Sequence, residues 1–526
     1  MASKISKPSF FKISRQSFFE FLSACGISFL LMLLLTRSSF LYPYNNWDDS
    51  NSYFSMGKSM FHGILIYRDI FDQKGPYLYF LYGLCSLVSG TTFRGVFLME
   101  ILLGAADLLL IGRILKLFCR PQTAAFLSPI LLACMCASKS FYWGGCAEEI
   151  CLPFLLFPLY VLLRTLRHSR RAEFSPRDVF LSGLCCGFVF CVKFTLMGFF
   201  LGFALSVILT CRSFREFVKL AGWFLFGTLL PFVPWVIYFG ITGGLDDWYR
   251  VYIYTNVFLY SDFGANSHGV SASQKIYDLA KLLYWLILDN LQYFIFVIAG
   301  LLWMLLRKGA SFAERIAPAL MFVLTFLFIY IGGAHLPYYA FPLTAFAVTG
   351  MAGAGVLLDR IAARAARKRT VSAGNIVQIT AGLLISLVIS YAVILRCSWN
   401  MDYLGTPKDQ IFLTSFTEDI NKDREAGIVD KDRTTLLNIG CLDSGLYTTA
   451  GIYPTCYWFQ TQTLPGGEVD REQLSYILEG RTDYIVARDS YPEAIFEHYE
   501  QIDEFHQTLQ PQDFTYYLFR KKTEMH

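Results

Sequence analysis

Long apolar runs separated by short polar segments dominate the chain up to about residue 397. A helix needs roughly 20 mostly apolar residues to cross a bilayer, and about eleven runs approach or reach that length. The pattern therefore predicts a polytopic α-helical membrane protein. The predicted spans are residues 18–37, 93–113, 122–138, 152–164, 178–192, 195–211, 220–241, 291–306, 316–332, 337–358 and 375–396.

Clusters of lysine and arginine between the runs predict the orientation, because basic loops stay on the cytoplasmic side. They occur at residues 4–15, 113–120, 164–177, 212–219, 307–315 and 360–369. If all are cytoplasmic, the N-terminus lies inside and the region after the last span lies outside. The outer segments are then residues 38–92, 139–151, a short turn near Lys193, 242–290 and 333–335.

Two apolar segments of these outer loops are predicted not to cross. Residues 76–88 are rich in tyrosine, which favours the membrane interface, and counting them as a span would invert every later basic loop. Residues 276–288 are interpreted in the same way. Both segments are expected to be helices that lie at the outer surface.

Residues 398–526 have a different pattern, charged and without a span-length apolar run. Strands are predicted at 434–439, 484–487 and 514–519, and helices at 471–478 and 492–509. The chain thus divides into a transmembrane module at 1–397 and a small extracytoplasmic α/β domain at 398–526. Within that domain, Cys441 and Cys456 could form a disulfide in an extracytoplasmic setting.

Composition supports the membrane assignment and excludes other classes. Hydrophobic residues make up 55% of the chain and charged residues 16%, against roughly 25% charged in soluble domains. A net charge of +4 without a basic, aromatic-interleaved stripe argues against nucleic acid as a partner. The sequence also lacks the P-loop, HExxH and GxSxG motifs.

The first outer loop gathers acids, bases and aromatics that suit chemistry on a lipid head group. Asp48 and Asp49 follow the first span, where a carboxylate could act as a general base or simply stay hydrated. Further along, Arg68, Lys74 and Lys58 could bind a phosphate, although interfacial cations also pair with lipid head groups.

Other outer segments supply further candidates. Glu148 and Glu149 could bind a divalent cation, orient an acceptor, or form a hydrated helix cap. Lys193 lies between two apolar stretches and could reach the same phosphate or extend to the interface. His335 lies at an outer helix end, where it could be catalytic or a hydrogen-bonded structural group.

The order of these motifs resembles the GT-C membrane glycosyltransferases, and in particular the family 39 group of protein O-mannosyltransferases and aminoarabinose transferases. The first motif is Asp49-x-x-x-Tyr53, and the second runs from Tyr67-Arg68-Asp69 through Lys74-Gly75-Pro76 to Tyr77-Leu78-Tyr79. The resemblance implies that Asp49 is the catalytic aspartate and that Tyr53, Lys74, Glu149 and Lys193 match family positions. Ser50 and Gly75 depart from the family pattern, at its second acid and first proline.

The resemblance also implies a polyprenyl-phosphate-linked sugar as donor and an extracytoplasmic glycan, lipid or protein as acceptor. In that mechanism Asp49 deprotonates the acceptor, which attacks the anomeric carbon with inversion. A ligase that transfers a pre-assembled glycan from a lipid carrier is an alternative with the same outer site. A lipid or polysaccharide transporter is another, although it predicts mid-membrane polar residues and repeated halves.

Overall fold

The computed structural model describes residues 15–168, 173–259, 271–333, 335–366, 375–462, 464, 467–509 and 512–522. Helices form the larger part, and a small sheet lies near the C-terminus. The predicted basic cluster at residues 4–15 lies almost entirely outside the described residues. The helices are α1 (Arg15–Leu35), α2 (Asp48–Phe61), α3 (Pro76–Ser86), α4 (Arg94–Lys116), α5 (Pro121–Cys136), α6 (Ala147–His168), α7 (Pro176–Phe190), α8 (Met197–Ile208), α9 (Phe214–Leu229), α10 (Val233–Thr242), α11 (Leu245–Trp248), α12 (Ala272–Asp289), α13 (Leu291–Leu306), α14 (Phe312–Tyr330), α15 (Ala347–Ala366), α16 (Asn375–Cys397), α17 (Phe412–Glu425), α18 (Leu446–Thr449), α19 (Glu468–Leu478) and α20 (Ile495–His498).

Seven helical segments of the described chain are long and apolar enough to cross a membrane. An eighth is possible if α12 and α13, which meet at an angle of 117°, act as one span. The prediction of about eleven spans is not confirmed, because Pro121–Cys136 and Phe194–Ile208 are shorter apolar helices. The seven segments are Gln16–Leu35, Arg94–Lys116, Ala147–Arg167, Phe214–Thr242, Phe312–Tyr330, Pro337–Arg364 and Thr380–Cys397.

The predicted first outer loop folds into two helices, α2 and α3, that pack closely against each other. A Cβ atom on Gly57 of α2 would lie 2.4 Å from the carbonyl oxygen of Tyr79 in α3, so this contact requires glycine. The helix predicted at 76–88 is confirmed as α3, which begins with Pro76 in its first turn. Its tyrosines Tyr79 and Tyr82 are buried against α2.

The C-terminal sheet has four strands, in the order β1-β2-β4-β3. β1 (Leu436–Ile439) and β2 (Tyr484–Arg488) are parallel, whereas β3 (Tyr499–Leu509) and β4 (Gln512–Lys521) form an antiparallel hairpin. The predictions of strands at 434–439, 484–487 and 514–519 and of a helix at 471–478 are therefore confirmed.

The helix predicted at 492–509 is wrong, because most of this segment is strand β3. A bulge in the pairing with β4, between Gln501 and Asp503, interrupts the alternation of a regular strand. Tyr499, Ile502 and Phe505 consequently recur every third residue, as on a helix. The considered disulfide is also absent, since Cys441 and Cys456 are both buried free thiols.

Candidate active site

Asp49 lies in the first turn of α2, where a helix N-terminus favours negative charge. Its side chain is largely buried, and the Tyr338 hydroxyl donates a hydrogen bond to Oδ2 at 2.5 Å. Trp47, just before the helix, packs edge-on against the Tyr338 ring with centroids 4.9 Å apart. The carboxylate of Asp49 is thus held in a defined direction by residues nearly 300 positions apart in the sequence.

Glu148 and Lys193 form a buried ion pair that joins two of the predicted outer segments. Glu148 lies in the first turn of α6, and Lys193 lies in the break between α7 and α8. The ammonium also sits over two tyrosine rings, 3.7 Å from the centroid of Tyr339 and 5.5 Å from that of Tyr338. Tyr338 therefore contacts both Asp49 and Lys193 and links the acid to the cation.

Tyr53, one turn beyond Asp49 on α2, is buried among carboxylates. Burial raises the pKa of its hydroxyl well above the usual range, and three nearby negative charges raise it further. These charges belong to Asp49, Asp72 and Glu148. Burial likewise raises the pKa of Asp72, against the opposing charge of Lys74. The hydroxyl of Tyr53 therefore stays neutral chiefly because it is buried, with the carboxylates adding to the effect.

The backbone of Lys74 is fixed by two buried tyrosines. The Tyr67 hydroxyl donates to the Lys74 carbonyl at 2.7 Å, and the Lys74 amide donates to the Tyr79 hydroxyl at 2.8 Å. The next residue, Gly75, donates to the carbonyl of Val192, directly before Lys193. A Cβ on Gly75 would lie 2.1 Å from the Cys191 carbonyl oxygen, which explains glycine in place of the family's proline. The segments that carry Lys74 and Lys193 are therefore neighbours.

Glu149 is buried and is not the hydrated cap considered from the sequence. Its Oε2 accepts a hydrogen bond from the amide of Gly145 at 2.8 Å, in the loop before α6. Gly145 has a φ of +77°, and its carbonyl accepts a hydrogen bond from Tyr82. Glu149 thus stabilises the loop before the helix. No group of three His, Cys, Asp or Glu side chains suited to a metal ion occurs among the described residues.

Two of the predicted phosphate-binding cations have other partners. Arg68 is half exposed, pairs with Asp69 at 2.9 Å and donates to the Thr242 carbonyl. Lys58 is buried and donates to the carbonyls of Tyr447 and Ile452, both at 3.0 Å, in the C-terminal domain. Burial lowers the pKa of Lys58 to about 8.

The side chains of Asp48 and His335 also have surroundings different from those of Asp49. Asp48 accepts a hydrogen bond from Arg488 of β2 at 2.9 Å, and burial raises its pKa to about 6 despite the charge of Arg488. His335 is exposed and lines a separate cavity of about 740 Å³ with Lys139 and Trp399.

Sequence reasoning missed Tyr338, Tyr339 and Asp72 as members of the site. Tyr338 and Tyr339 follow Pro337 at the start of the span predicted just after His335, so paired aromatics at a span start were an available signal. Asp72 stands two residues before Lys74 in the motif that carried the resemblance. Neither signal distinguishes a site residue from an interfacial one without the fold.

One protein family matches part of the chain. Residues 73–238 match the family described as dolichyl-phosphate-mannose-protein mannosyltransferase, a segment that contains Lys74, Glu148 and Lys193 and begins after Asp49. Among curated proteins, none matches the sequence of the chain.

Solved structures resemble the chain over almost its full length. ArnT from Cupriavidus metallidurans bound to undecaprenyl phosphate superimposes with a TM-score of 0.59 at 13% identity, covering 96% of this chain and 98% of that one. Arabinofuranosyltransferase AftD from Mycobacteria gives a TM-score of 0.50 at 13% identity, covering 98% of this chain and 42% of that one. The chain therefore shares the fold of ArnT, and its residues 73–238 resemble the dolichyl-phosphate-mannose-protein mannosyltransferase family.

Proposed function

We propose that the chain transfers a sugar from a polyprenyl-phosphate-linked donor to an extracytoplasmic acceptor, with inversion at the anomeric carbon. The observation that carries this proposal is the buried Asp49–Tyr338 contact beside the Lys193–Glu148 pair. Tyr338 contacts both a carboxylate that can accept a proton and a cation that can bind a phosphate, which supports the proposal. The fold shared with ArnT, which was solved with undecaprenyl phosphate bound, supports a donor of the same kind.

In the proposed reaction Asp49 acts as the general base. The Oδ2 atom of Asp49 already accepts a hydrogen bond from Tyr338, so the Oδ1 atom is proposed to accept the proton. That proton comes from the hydroxyl or amine of the acceptor as the acceptor attacks the anomeric carbon. The bond from that carbon to the phosphate oxygen breaks, and its electron pair leaves with the lipid phosphate. Because this phosphate leaves as a stable anion, the reaction requires no general acid, unlike ordinary glycoside hydrolysis with its two carboxyl groups.

Lys193 and Lys74 are proposed to stabilise the negative charge that develops on the leaving phosphate. Lys193 already has a carboxylate partner in Glu148, so it is oriented by that partner before a donor arrives. The aromatic faces of Tyr338 and Tyr339 further restrict its ammonium. We also propose that the N-terminus is cytoplasmic, which puts Asp49 and the C-terminal domain on the outer side.

A turnover assay tests the assignment of the base. Purified protein in lipid is incubated with a panel of radiolabelled polyprenyl-phosphate sugars and membrane extract as acceptor source, and released lipid phosphate is measured. We expect Asp49→Asn to lower release by roughly 10²–10⁴-fold, the usual contribution of a general base. The matched variant Asp48→Asn removes the adjacent carboxylate and is expected to remain within about tenfold of wild type, since it loses only a partly exposed pair. Full activity of Asp49→Asn would refute the assignment.

A further inference from the structure

A second polar cavity lies at the opposite end of the helical bundle from Asp49. Helices α4 and α6 both begin near the site: Glu100 in α4 accepts a hydrogen bond from Thr36, and Glu148 in α6 pairs with Lys193. These helices have 23 and 22 residues. At 1.5 Å per residue each is about 33 Å long, close to the thickness of a bilayer core. Their last turns therefore lie at the other membrane surface.

Those last turns, together with the end of α13 and the start of α14, line an open cavity of about 760 Å³, here called the basic pocket. Four side chains that line it carry positive charge, and one carries negative charge. The Glu314 carboxylate accepts a hydrogen bond from Arg307 at 2.5 Å, so this acid already has a cationic partner. The lining residues are Arg113, Lys116, Leu117, Tyr160, Arg167, Arg307, Gly309 and Glu314.

Helix ends explain only part of this arrangement. The carbonyl groups at a helix C-terminus attract cations by about 0.3–1 kcal/mol, which accounts for one cation near each helix end. It does not explain why the cations of three helices line the same cavity, where they repel one another. A bound anion would offset the repulsion.

Two of the cations are also held by an aromatic side chain. The Arg167 guanidinium lies 4.5 Å from the centroid of the Phe118 ring, and that of Arg307 lies 5.3 Å from it. Such contacts restrict both guanidinium groups before a ligand arrives, and a contact through the ring face does not use the N–H edge of Arg167. A guanidinium edge matches the oxygens of a phosphate group, which it can bind through two parallel hydrogen bonds.

We propose that the basic pocket binds a phosphate group, carried either by the head group of an anionic membrane lipid or by a free phosphate ion. A basic pocket between helices at a membrane surface is a setting in which anionic lipid head groups are bound. The site is separate from the donor site because the length of α4 and α6 lies between them. The proposal does not depend on the reaction proposed for Asp49.

Lipid retention by the full-length protein tests this proposal. Wild type and Arg113→Gln/Lys116→Gln are reconstituted in phosphatidylcholine mixed with phosphatidylglycerol, and retained phosphatidylglycerol is measured by native mass spectrometry. Both replaced side chains are exposed, so the variant is expected to fold. The control is Arg360→Gln/Arg364→Gln, which removes two exposed cations from α15 outside the pocket. The control lies at the same end, since Asp359 of α15 accepts from the Arg120 amide just after α4.

The expected result is a roughly tenfold loss of retained phosphatidylglycerol in the pocket variant, from the attraction of each surface cation, and little loss in the control. A second arm titrates inorganic phosphate into lipid-free protein and measures thermal stability. Saturable stabilisation that the pocket variant alone loses, without selective lipid retention, would assign the site to free phosphate. Equal losses in pocket and control variants in both arms, or no response in either arm, would overturn the proposal.

Discussion

Asp48 and Asp49 are consecutive residues of one helix, and they belong to different regions of the molecule. Asp49 faces the helical bundle, where Tyr338 and the Lys193–Glu148 pair lie. Asp48 faces the C-terminal domain and pairs with Arg488 of β2. Successive residues of a helix point about 100° apart, so one turn of α2 can serve two neighbours. The identity of the residue therefore says less about its role than the side of α2 on which it lies.

The domain side of α2 continues along the helix as a row of polar contacts. Ser52 accepts a hydrogen bond from Gln460 at 2.7 Å, and Ser55 donates to Asp443 at 2.5 Å. Lys58 completes the row with its two carbonyl partners. These contacts attach the helix that carries the proposed base to a domain more than 380 residues away in sequence. The comparison predicts that bundle-side changes affect turnover directly, whereas domain-side changes act through the position of α2.

After Asp49→Asn, the largest effect is expected on the same bundle side, at Lys193. Lys193→Met should lower turnover by roughly 10²-fold or more, because it removes the cation proposed to stabilise the leaving phosphate. It also leaves Glu148 as an unpaired buried charge, which costs about 3–5 kcal/mol of stability. The double variant Lys193→Met/Glu148→Gln separates the two effects, since it should recover thermal stability and remain inactive. Recovery of turnover in the double variant would mean that the pair is structural.

An intermediate effect is expected on the domain side, at Arg488. Arg488→Met breaks the pair with Asp48, whose two side chains are 18% and 26% exposed. We expect roughly tenfold lower turnover together with faster hydrogen exchange in the first turn of α2, because the domain no longer holds that turn. Adding Asp48→Asn removes the unpaired carboxylate and should restore part of the protection of this turn against hydrogen exchange. If hydrogen exchange in the first turn of α2 were unchanged in Arg488→Met, the C-terminal domain would not hold that turn in place.

The sequence predicted the bundle side of this comparison better than the domain side. Asp49, Glu148 and Lys193 come from three predicted outer segments, and the positions of basic loops were enough to assign them to one face. The contacts of Asp48 and Lys58 depend on how the C-terminal domain packs on α2, which no local pattern encodes. Both residues were therefore predicted to act on the substrate, and the structure gives them partners in the C-terminal domain instead.

A smaller effect, on stability, is expected from Asp443. Burial raises its pKa from 3.8 to about 6, so the folded protein holds this proton more tightly than the unfolded chain does. Its stabilising contribution is complete below the unfolded pKa and is lost as the pH rises through about 6. Asp443→Asn removes this dependence, because asparagine keeps an acceptor without titrating. The stability of wild type relative to the variant should fall by up to about 3 kcal/mol between those two pKa values, at about 1.4 kcal/mol per pKa unit.

Unfolding of both proteins at a series of pH values measures this difference. Each protein is followed by intrinsic fluorescence in the same lipid or detergent, so contributions from other titrating groups cancel. Parallel stability curves from about pH 4 to about pH 6 would contradict a raised pKa for Asp443 in the folded protein.

The smallest effect is expected at Arg68, which belongs to neither side of α2. The sequence motif around it suggested a phosphate contact, but its side chain is 49% exposed and pairs with the adjacent Asp69. Exposed pairs contribute about 0.2–1 kcal/mol, so Arg68→Ala should leave turnover within about fivefold of wild type. The same assay on Lys74→Ala, in the same loop, should give a clearly larger loss, because tyrosines hold the Lys74 backbone beside the segment of Lys193. Equal losses of turnover in both variants would mean that the loop acts through its total charge. Arg68 and Lys74 would then not differ in their roles.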